Sequence, residues 1–495
     1  MGRGADREAD VIVAGGGTGG VCAAIAAARN DVDVLLVERY GFLGGLFTHG
    51  NMCVSTVRPW AGIGKEIFDT LFERGAAVTH PDEPVNYPIF HHGSGAACTV
   101  PYDPETAMQV LFQLCEAAGV RLLLHSYVTG VVADGNVVKG VVVENKAGRQ
   151  VIRGQIVCDG TGDGDVAAAA GAPFLQGMGP DHQGFALTQL VRLSHVDWRQ
   201  VSAYSAQDPG FDAAITTAKA KGELPYYTPR TRDMIPYWGH PRPELAHLWY
   251  ADGALLWGGT VEDVDGLDVD ALTRAEVEVR KQWRSELAFL RTYVPGFANA
   301  RVDASGVSIG VRETRHILGE YVYTGVDFLE ARAFQDAVAY AVPYFLGVPY
   351  GCLVPQTVDN LLIASKCLSV EPGQASSGPA LGAYNHLKSL TSVMSYGEAA
   401  GTAAALCVAT KTRPRRLDVA VLQARLTKQG ALVGPEVLAR LTGQRLPSGL
   451  TVGESLHRRR TAWKRRWQRM DHVFDGSGIA GEGDAVDPRG GGERA

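Results

Sequence analysis

Two unbroken apolar runs, Val11 to Ala14 and Leu35 to Val37, bracket an alanine-rich stretch from Val21 to Arg29. Short, wholly apolar runs predict strands buried on both faces, and the alanines between them predict a helix. Leu122 to Leu124 repeats the strand pattern. The pattern then changes: Tyr127–Val132, Val138–Glu144 and Gln150–Val157 predict three antiparallel strands, with turns at Asp134-Gly135 and Lys146-Ala147-Gly148. Further on come a helix over Asp270–Leu290, a helix over Phe328–Ala341 and a buried strand at Asn360–Ala364. A small-residue helix opens at Gly397-Glu398-Ala399-Ala400-Gly401-Thr402-Ala403. Strands alternating with helices predict an α/β protein built on a parallel sheet that carries a three-stranded β-meander.

The link between the first two strands narrows the chemistry. Gly15, Gly17 and Gly20 complete a G-x-G-x-x-G turn, with Thr18 inside it. The first glycine permits the tight turn, the second lets a pyrophosphate approach the backbone, and the third lets helix and strand pack closely. Glu38 ends the second strand, where it can accept both ribose hydroxyls of an adenosine, and Arg39 follows it. This is a Rossmann-like dinucleotide fingerprint, and by itself it leaves NAD and FAD open. Three later features favour FAD. Gly44-Gly45 lets the chain pass along the pyrophosphate of a longer cofactor, Asp159-Gly160-Thr161-Gly162 makes a second glycine turn at a strand end, and the helix start at Gly397 can face the negative end of a reduced flavin ring.

A chain of 495 residues exceeds one hydrophobic core, so two or three domains are expected. The formal net charge of -6 gives no argument for a nucleic-acid partner. The charged opening MGRGADREAD lacks a secretory h-region, and no apolar run has the length of a membrane span. Eight cysteines without a C-x-x-C pair argue against a zinc site and a disulfide scaffold, so no metal and a cytoplasmic location are expected.

Taken together, these motifs resemble the FAD-dependent oxidoreductases with a glutathione-reductase-like nucleotide domain. The chain is more narrowly similar to the bacterial family with a Gly-x-Ala-Ala-Gly late signature. Its marks here are Gly310-Val311-Arg312-Glu313-Thr314-Arg315-His316, then Val348-Pro349-Tyr350-Gly351-Cys352-Leu353-Val354-Pro355, then Gly397 to Gly401. The resemblance implies a Rossmann-like FAD-binding fold in two parts, 8–176 and 346–440. An α+β substrate or cap domain, 177–345, is inserted between them, and a basic helical tail and disordered end follow at 441–495. It further implies Gly44 and Gly45 along the pyrophosphate, Val128 at the adenine edge through its backbone, and Thr161 and Gly162 at the ADP end. Ala400, Gly401 and Thr402 would lie near the flavin pyrimidine edge. Ser365 and Lys366 stand where the family has Gly-Arg, and Lys366 can donate to phosphate or ribityl oxygens without arginine's fork.

A flavin performs the electron transfer itself, which leaves the protein to place the substrate and manage protons. His49, after the paired glycine, is a candidate base needing a small pKa adjustment, or a covalent flavin tether. Arg312 and Glu313 are candidates for anion binding and catalysis, or for an interdomain ion pair. The aromatic middle (Trp198, Trp238, Trp249, Trp257, Tyr226, Tyr227, Tyr237, Tyr250) suits a substrate pocket or a plain core. Leu456 to Arg469 is a basic segment with two tryptophans, suited to a solvated terminal helix that packs its two rings on the protein, or to an anionic surface or a partner subunit. The expectation is an FAD-dependent dehydrogenase or oxidase passing a hydride between a small organic molecule and the flavin. The acceptor is left between oxygen and a redox partner, and a homo-oligomer is left open. The alternatives are a flavin monooxygenase or a non-catalytic FAD-binding interaction protein.

Overall fold

The computed structural model describes residues 7–55, 61–77, 100–177, 186–208, 211–226, 253–256, 259–261, 264–341, 346–372 and 379–434, with a few single positions beyond. It divides into two units, Met1–Leu441 and Thr442–Ala495. The sheet, helices and crevice described below all belong to the first. The basic segment from Leu456 to Arg469 falls almost wholly outside the described residues.

The apolar runs of the sequence become the centre of one sheet. Its strands are β1 (Arg7–Ala14), β2 (Val34–Val37), β3 (Arg121–Leu123), β4 (Tyr127–Asp134), β5 (Val137–Asn145), β6 (Gly148–Asp159) and β7 (Leu361–Ile363). The order is β3-β2-β1-β6-β5-β4, and β7 also pairs with β6. Parallel neighbours hold β2 on β1 (Val11 opposite Val34) and β1 on β6 (Ile12 opposite Val157). β6 has two halves. Its start, Gly148–Arg153, runs antiparallel to β5, and its end, Val157–Asp159, runs parallel to β7. One long strand thus fastens the meander to the parallel sheet. Val11 to Ala14 and Leu361 to Ile363 are completely buried, as a sheet covered on both faces requires.

Helices α1 (Thr18–Ala28), α2 (Gly62–Glu73) and α3 (Pro104–Ala117) follow in the N-terminal part; α4 (Pro379–Leu387) and α5 (Leu390–Thr410) follow β7. Here the structure corrects the expectation at Gly397. The helix begins seven residues earlier, at Leu390 behind Ser389, and Gly397 to Gly401 lies in its middle. Those glycines serve packing. A Cβ on Gly397 would stand 2.4 Å from the Gly19 carbonyl oxygen, and one on Gly401 would stand 2.0 Å from that of Ala23. α1 and α5 therefore cross backbone to backbone. Glycine inside a helix costs about 1 kcal/mol relative to alanine, and this contact is what offsets it.

In the middle region, strands Val191–Ser194, Ala254–Leu256 and Arg301–Ser305 form an antiparallel sheet. The helix Val269–Tyr293 buries Ala275, Val279, Gln282, Glu286, Phe289 and Leu290. Trp198, Phe211, Phe289, Leu290 and Phe297 share one core. Of the aromatics named above, Trp198 is thus a core residue and Tyr226 is exposed, while the other six lie outside the described residues or carry no described side chain. The helix expected over Phe328–Ala341 is instead a short helix, Gly325–Glu330, and a strand, Ala337–Ala341, paired with Leu346–Pro349. Ala331, at φ 51°, ends the helix.

Candidate cofactor and active site

β2, β1, β7 and the end of β6 point the same way, so their carboxyl ends meet in one crevice, the usual ligand site of such sheets. The glycine turn sits at the end of β1. Gly15 takes φ +96° and its missing Cβ would strike the Gly160 carbonyl oxygen at 2.4 Å, while a Cβ on Gly20 would meet the Gly15 oxygen at 1.9 Å. Gly17 differs: the nearest atom to its missing Cβ is 3.8 Å away. Two glycines let backbones touch, and the third leaves room. Gly17 also bridges to Gly44, whose N–H donates to the Gly16 oxygen at 2.7 Å, bringing Gly44 and Gly45 onto the turn. Thr18 opens α1 and is buried.

Glu38, at the end of β2, is buried, which raises its pKa. One carboxylate oxygen accepts the Gly16 N–H at 2.6 Å and the other the Tyr40 N–H at 2.9 Å. The acid thus braces the turn, and each oxygen keeps a further lone pair for a ligand. The Arg39 guanidinium stands over the Tyr40 ring at 4.8 Å and near the Tyr127 ring at 5.9 Å. Val128 is half-buried on β4, the outer strand of the meander, beside a register shift opposite Val143.

At the end of β6, fully buried Asp159 organises the second turn. It accepts from the Thr161 hydroxyl (2.6 Å), the Thr161 N–H (3.1 Å) and the Ala167 N–H (2.9 Å), and burial pushes its pKa to about 6. Gly162 takes φ +89°, and its missing Cβ sees only the Lys366 ammonium, at 4.0 Å. Lys366 donates to the Gly162 oxygen and lies 3.0 Å from Asp163 Oδ1. Its charge is therefore shared with Asp163, a partner that the sequence signalled only as part of a Gly-Thr-Gly-Asp-Gly-Asp run.

His49 lies against aromatic rings, with its ring 3.8 Å from that of Phe42 and 5.2 Å from that of Tyr40. Burial, and secondarily the Arg39 charge, lower its pKa to about 4. The adjustment is larger than expected and runs towards a weaker base. Its backbone oxygen accepts the Val307 N–H at 3.1 Å, and Asn51 donates to the Ala304 oxygen at 3.3 Å, which packs this loop on the segment leading to Arg312.

Glu313 turns to His316, Oε1 to Nε2 at 2.8 Å, with both side chains fully buried. Thr314 donates to Asp163, and Arg315 donates to the Asp163 carbonyl and to Asp165. The signature from Arg312 to His316 is thereby docked on the β6 turn. The Tyr384 hydroxyl donates to the Arg312 carbonyl at 2.9 Å, and its ring is 4.7 Å from that of His316. Asp163 escaped the sequence reading because Thr314, Arg315 and Lys366 become its neighbours only in the fold; His316 lies three residues from Glu313, a spacing that was the available signal.

Ala400, Gly401 and Thr402 do not reach the crevice. All three are buried in the middle of α5, where Thr402 donates to Gln429 at 3.1 Å and the Ala400 oxygen faces the Cys158 thiol. The helix start available to a ligand is the turn after Ser389.

The crevice fits FAD. Room beside Gly17 and Gly162 lies between crowded turns, and buried polar atoms without a hydrogen-bond partner stand along the way: Ser365 Oγ at the end of β7, His49 Nδ1, and Thr391 Oγ1 in the first turn of α5. Seven described cysteines are free and buried. Among the described residues no helix is long and apolar enough to cross a membrane, and no cluster of His, Cys, Asp and Glu side chains is arranged to hold a metal ion.

A family model of FAD dependent oxidoreductases matches residues 10–344 and 341–426. Among solved structures, the chain is similar to a geranylgeranyl bacteriochlorophyll reductase-like protein from Thermoplasma acidophilum, at 12% identity over 95% of this chain and 100% of that one (TM-score 0.44). It is similar to the p-nitrophenol 4-monooxygenase PnpA from Pseudomonas putida, at 12% identity over 95% and 97% (TM-score 0.44). A third is OxyS anhydrotetracycline hydroxylase from Streptomyces rimosus, at 12% identity over 94% and 72% (TM-score 0.40).

Proposed function

The chain belongs to the family of FAD dependent oxidoreductases, and from that premise we propose that it is a dehydrogenase or oxidase acting on a small organic molecule. The observation that carries the reading is the alignment of four strand ends on one crevice, with space left at Gly17 and Gly162 between turns that touch at Gly15, Gly20 and Gly160. Gly17, Thr18, Gly20 and Gly45 are the residues to hold a pyrophosphate by backbone N–H groups and the dipole of α1, on a turn shaped by Gly15 and Gly44, whose own N–H groups donate to the Val37 and Gly16 oxygens. Glu38 and Arg39 suit the adenosine end, with the Val128 backbone beside them. Thr161, Gly162, Ser365 and Lys366 suit the linker beyond the pyrophosphate. Bound there, FAD supplies two-electron chemistry at carbon.

The protein's own part is positional. The His49 loop and the 304–310 segment touch through one backbone hydrogen bond and one from the Asn51 side chain, so the middle region meets the loop that follows the glycine turn, and domain junctions commonly hold substrates. His49, neutral at physiological pH, accepts or relays a hydrogen bond there more readily than it takes up a proton. Arg312 offers a planar cation to a substrate carboxylate or enolate oxygen.

The test is direct. Purified protein should be yellow and release FAD on denaturation. Anaerobic mixing with a panel of small alcohols, amines and hydroxy acids should find one that bleaches the flavin. A flavin that no substrate bleaches, but that forms a stable oxygen adduct after external reduction, would replace this reading with a monooxygenase. A shielded, redox-silent flavin would make it a binding protein.

A further inference from the structure

The Arg312–His316 signature changes character at its middle. Arg315–Ile317 is a strand, paired antiparallel with Phe174–Gln176. Val311 to Thr314 belongs to no helix or strand, so its placement rests on contacts with its surroundings. The Tyr384 hydroxyl donates to the Arg312 carbonyl and the Gly177 N–H to the Thr314 carbonyl, each at 2.9 Å. The Thr314 hydroxyl reaches further, to Asp163 Oδ1 at 2.9 Å, and so ties the stretch to the β6 turn.

Asp163 Oδ1 accepts twice. Thr314 comes from the signature, and Lys366, at 3.0 Å, from the end of β7. The Asp163 carbonyl accepts Arg315 at 2.7 Å. Burial works against the charged form, yet Lys366, Thr314 and Arg39 hold the Asp163 carboxyl below its ordinary pKa. It therefore stays ionised at physiological pH and keeps both donors. Further bonds close around it. Lys366 and the Cys367 thiol both donate to the Gly162 oxygen, the thiol at 3.1 Å, and the Ile317 N–H donates to the Cys367 oxygen at 3.0 Å. Gly164, at φ +68°, lets the turn pass Ile317, whose Cδ1 would stand 2.9 Å from a Cβ there. Asp163 thus has on one side Gly162 and Lys366, which suit the linker of FAD, and on the other Thr314, two residues from Arg312.

We propose that Asp163 is a positioning residue that carries cofactor occupancy of the β6 and β7 turns to the stretch from Val311 to Thr314, so that Arg312 is held more firmly for substrate with FAD bound than without; this rests on the FAD reading above. One carboxylate oxygen serves donors from both sides. Once Gly162 and Lys366 are immobilised by a ligand, that oxygen is fixed, and the Thr314 hydroxyl meets a preset acceptor. The second ordering then costs less than it would alone. By linkage, the firmness that the stretch gains from FAD returns as affinity for FAD.

The experiment is amide hydrogen exchange over Val311 to Thr314, read by mass spectrometry on the free and the FAD-loaded full chain, with FAD dissociation constants from fluorescence titration. In the wild type, FAD should slow this exchange about tenfold, a usual size for coupling between sites. Thr314→Val keeps the shape and loses the hydroxyl. Its slowing should shrink to less than about threefold, and its dissociation constant should rise by about the factor lost. Thr314→Ser should restore both. A bond that merely braces the stretch behaves differently: Thr314→Val would then speed exchange equally in free and loaded protein and leave the affinity as it was. That result would overturn the inference, and so would wild-type exchange that FAD does not slow. If Thr314→Val does not fold, Asp163→Ala carries the same expectation for the ratio of exchange with and without FAD. Wild-type protein that takes up no FAD would overturn the FAD reading itself, and this inference with it.

Discussion

Glu313 Oε1 lies 2.8 Å from His316 Nε2, and neither side chain exposes any surface. The pair sits inside the segment that docks on the Asp163 turn, so its integrity governs how Thr314 and Arg315 meet that turn. Breaking a buried pair by removing one partner costs about 3–5 kcal/mol, because the other is left without compensation. Glu313→Ala should therefore lower the unfolding free energy by about 3 kcal/mol in a urea titration, and adding His316→Phe should recover part of the loss. A Glu313→Ala cost below about 0.5 kcal/mol, the range of ordinary surface changes, would show that the pair does not brace the segment.

The glycines separate folding from binding. Gly17→Ala places a Cβ 3.8 Å from its nearest neighbour, so the melting temperature should hardly move while FAD affinity falls more than about tenfold through the blocked backbone approach. Gly401→Ala drives a Cβ to within 2.0 Å of the Ala23 oxygen. It should cost about 1–3 kcal/mol of stability as overpacking and leave FAD binding to the folded fraction unchanged. Differential scanning calorimetry with flavin fluorescence titration reads both.

Glu38→Ala removes the acceptor of the Gly16 and Tyr40 N–H groups and the proposed ribose partner. Hydrogen bonds to a charged group contribute about 1.5–3 kcal/mol, so the FAD dissociation constant should rise about ten- to hundredfold. Glu38→Gln should fall between. An unchanged affinity in both variants would remove Glu38 from the site.

Glu286 is 4% exposed on the core-facing stripe of its helix, and burial raises its pKa from 4.5 to about 8. Between those values the unfolded chain has lost the proton that the folded one keeps. Stability is therefore full below about pH 4.5 and falls as pH rises towards 8. Each pH unit crossed in that window removes about 1.4 kcal/mol, so Glu286→Gln should gain up to about 4 kcal/mol over wild type at pH 8 and almost nothing at pH 4.5. Chemical denaturation at the two pH values decides it; an equal gain at both would mean the carboxyl does not titrate in this window.

What the sequence revealed is what neighbouring residues encode. The glycine triplet, the flanking apolar runs and the meander turns are local patterns, and the strands appear within a few residues of their expected places. Gly397 and Gly401 misled because a glycine in a helix is explained only by what it touches, here Gly19 and Ala23, nearly four hundred residues away in the chain. Ser389, a good cap type before Val393 and Met394, was the available signal for the true helix start. Phe328 to Ala341 misled because the αL residue at Ala331, which ends the helix, carries no glycine to announce it. The environment of His49 was hidden because the burial and the nearby Arg39 charge that lower its pKa arise only on folding.

The divided pairing of β6 has a consequence for biogenesis. Its partner β7 emerges from the ribosome roughly two hundred residues after Asp159, behind the whole middle region, and such distant pairings form slowly. Until then the crevice lacks the wall that carries Ser365 and Lys366, and α1 lacks its α5 neighbour. A nascent or truncated chain ending near residue 340 would thus display the full glycine fingerprint yet hold no cofactor. Flavin capture becomes a report that synthesis has run to the end of α5.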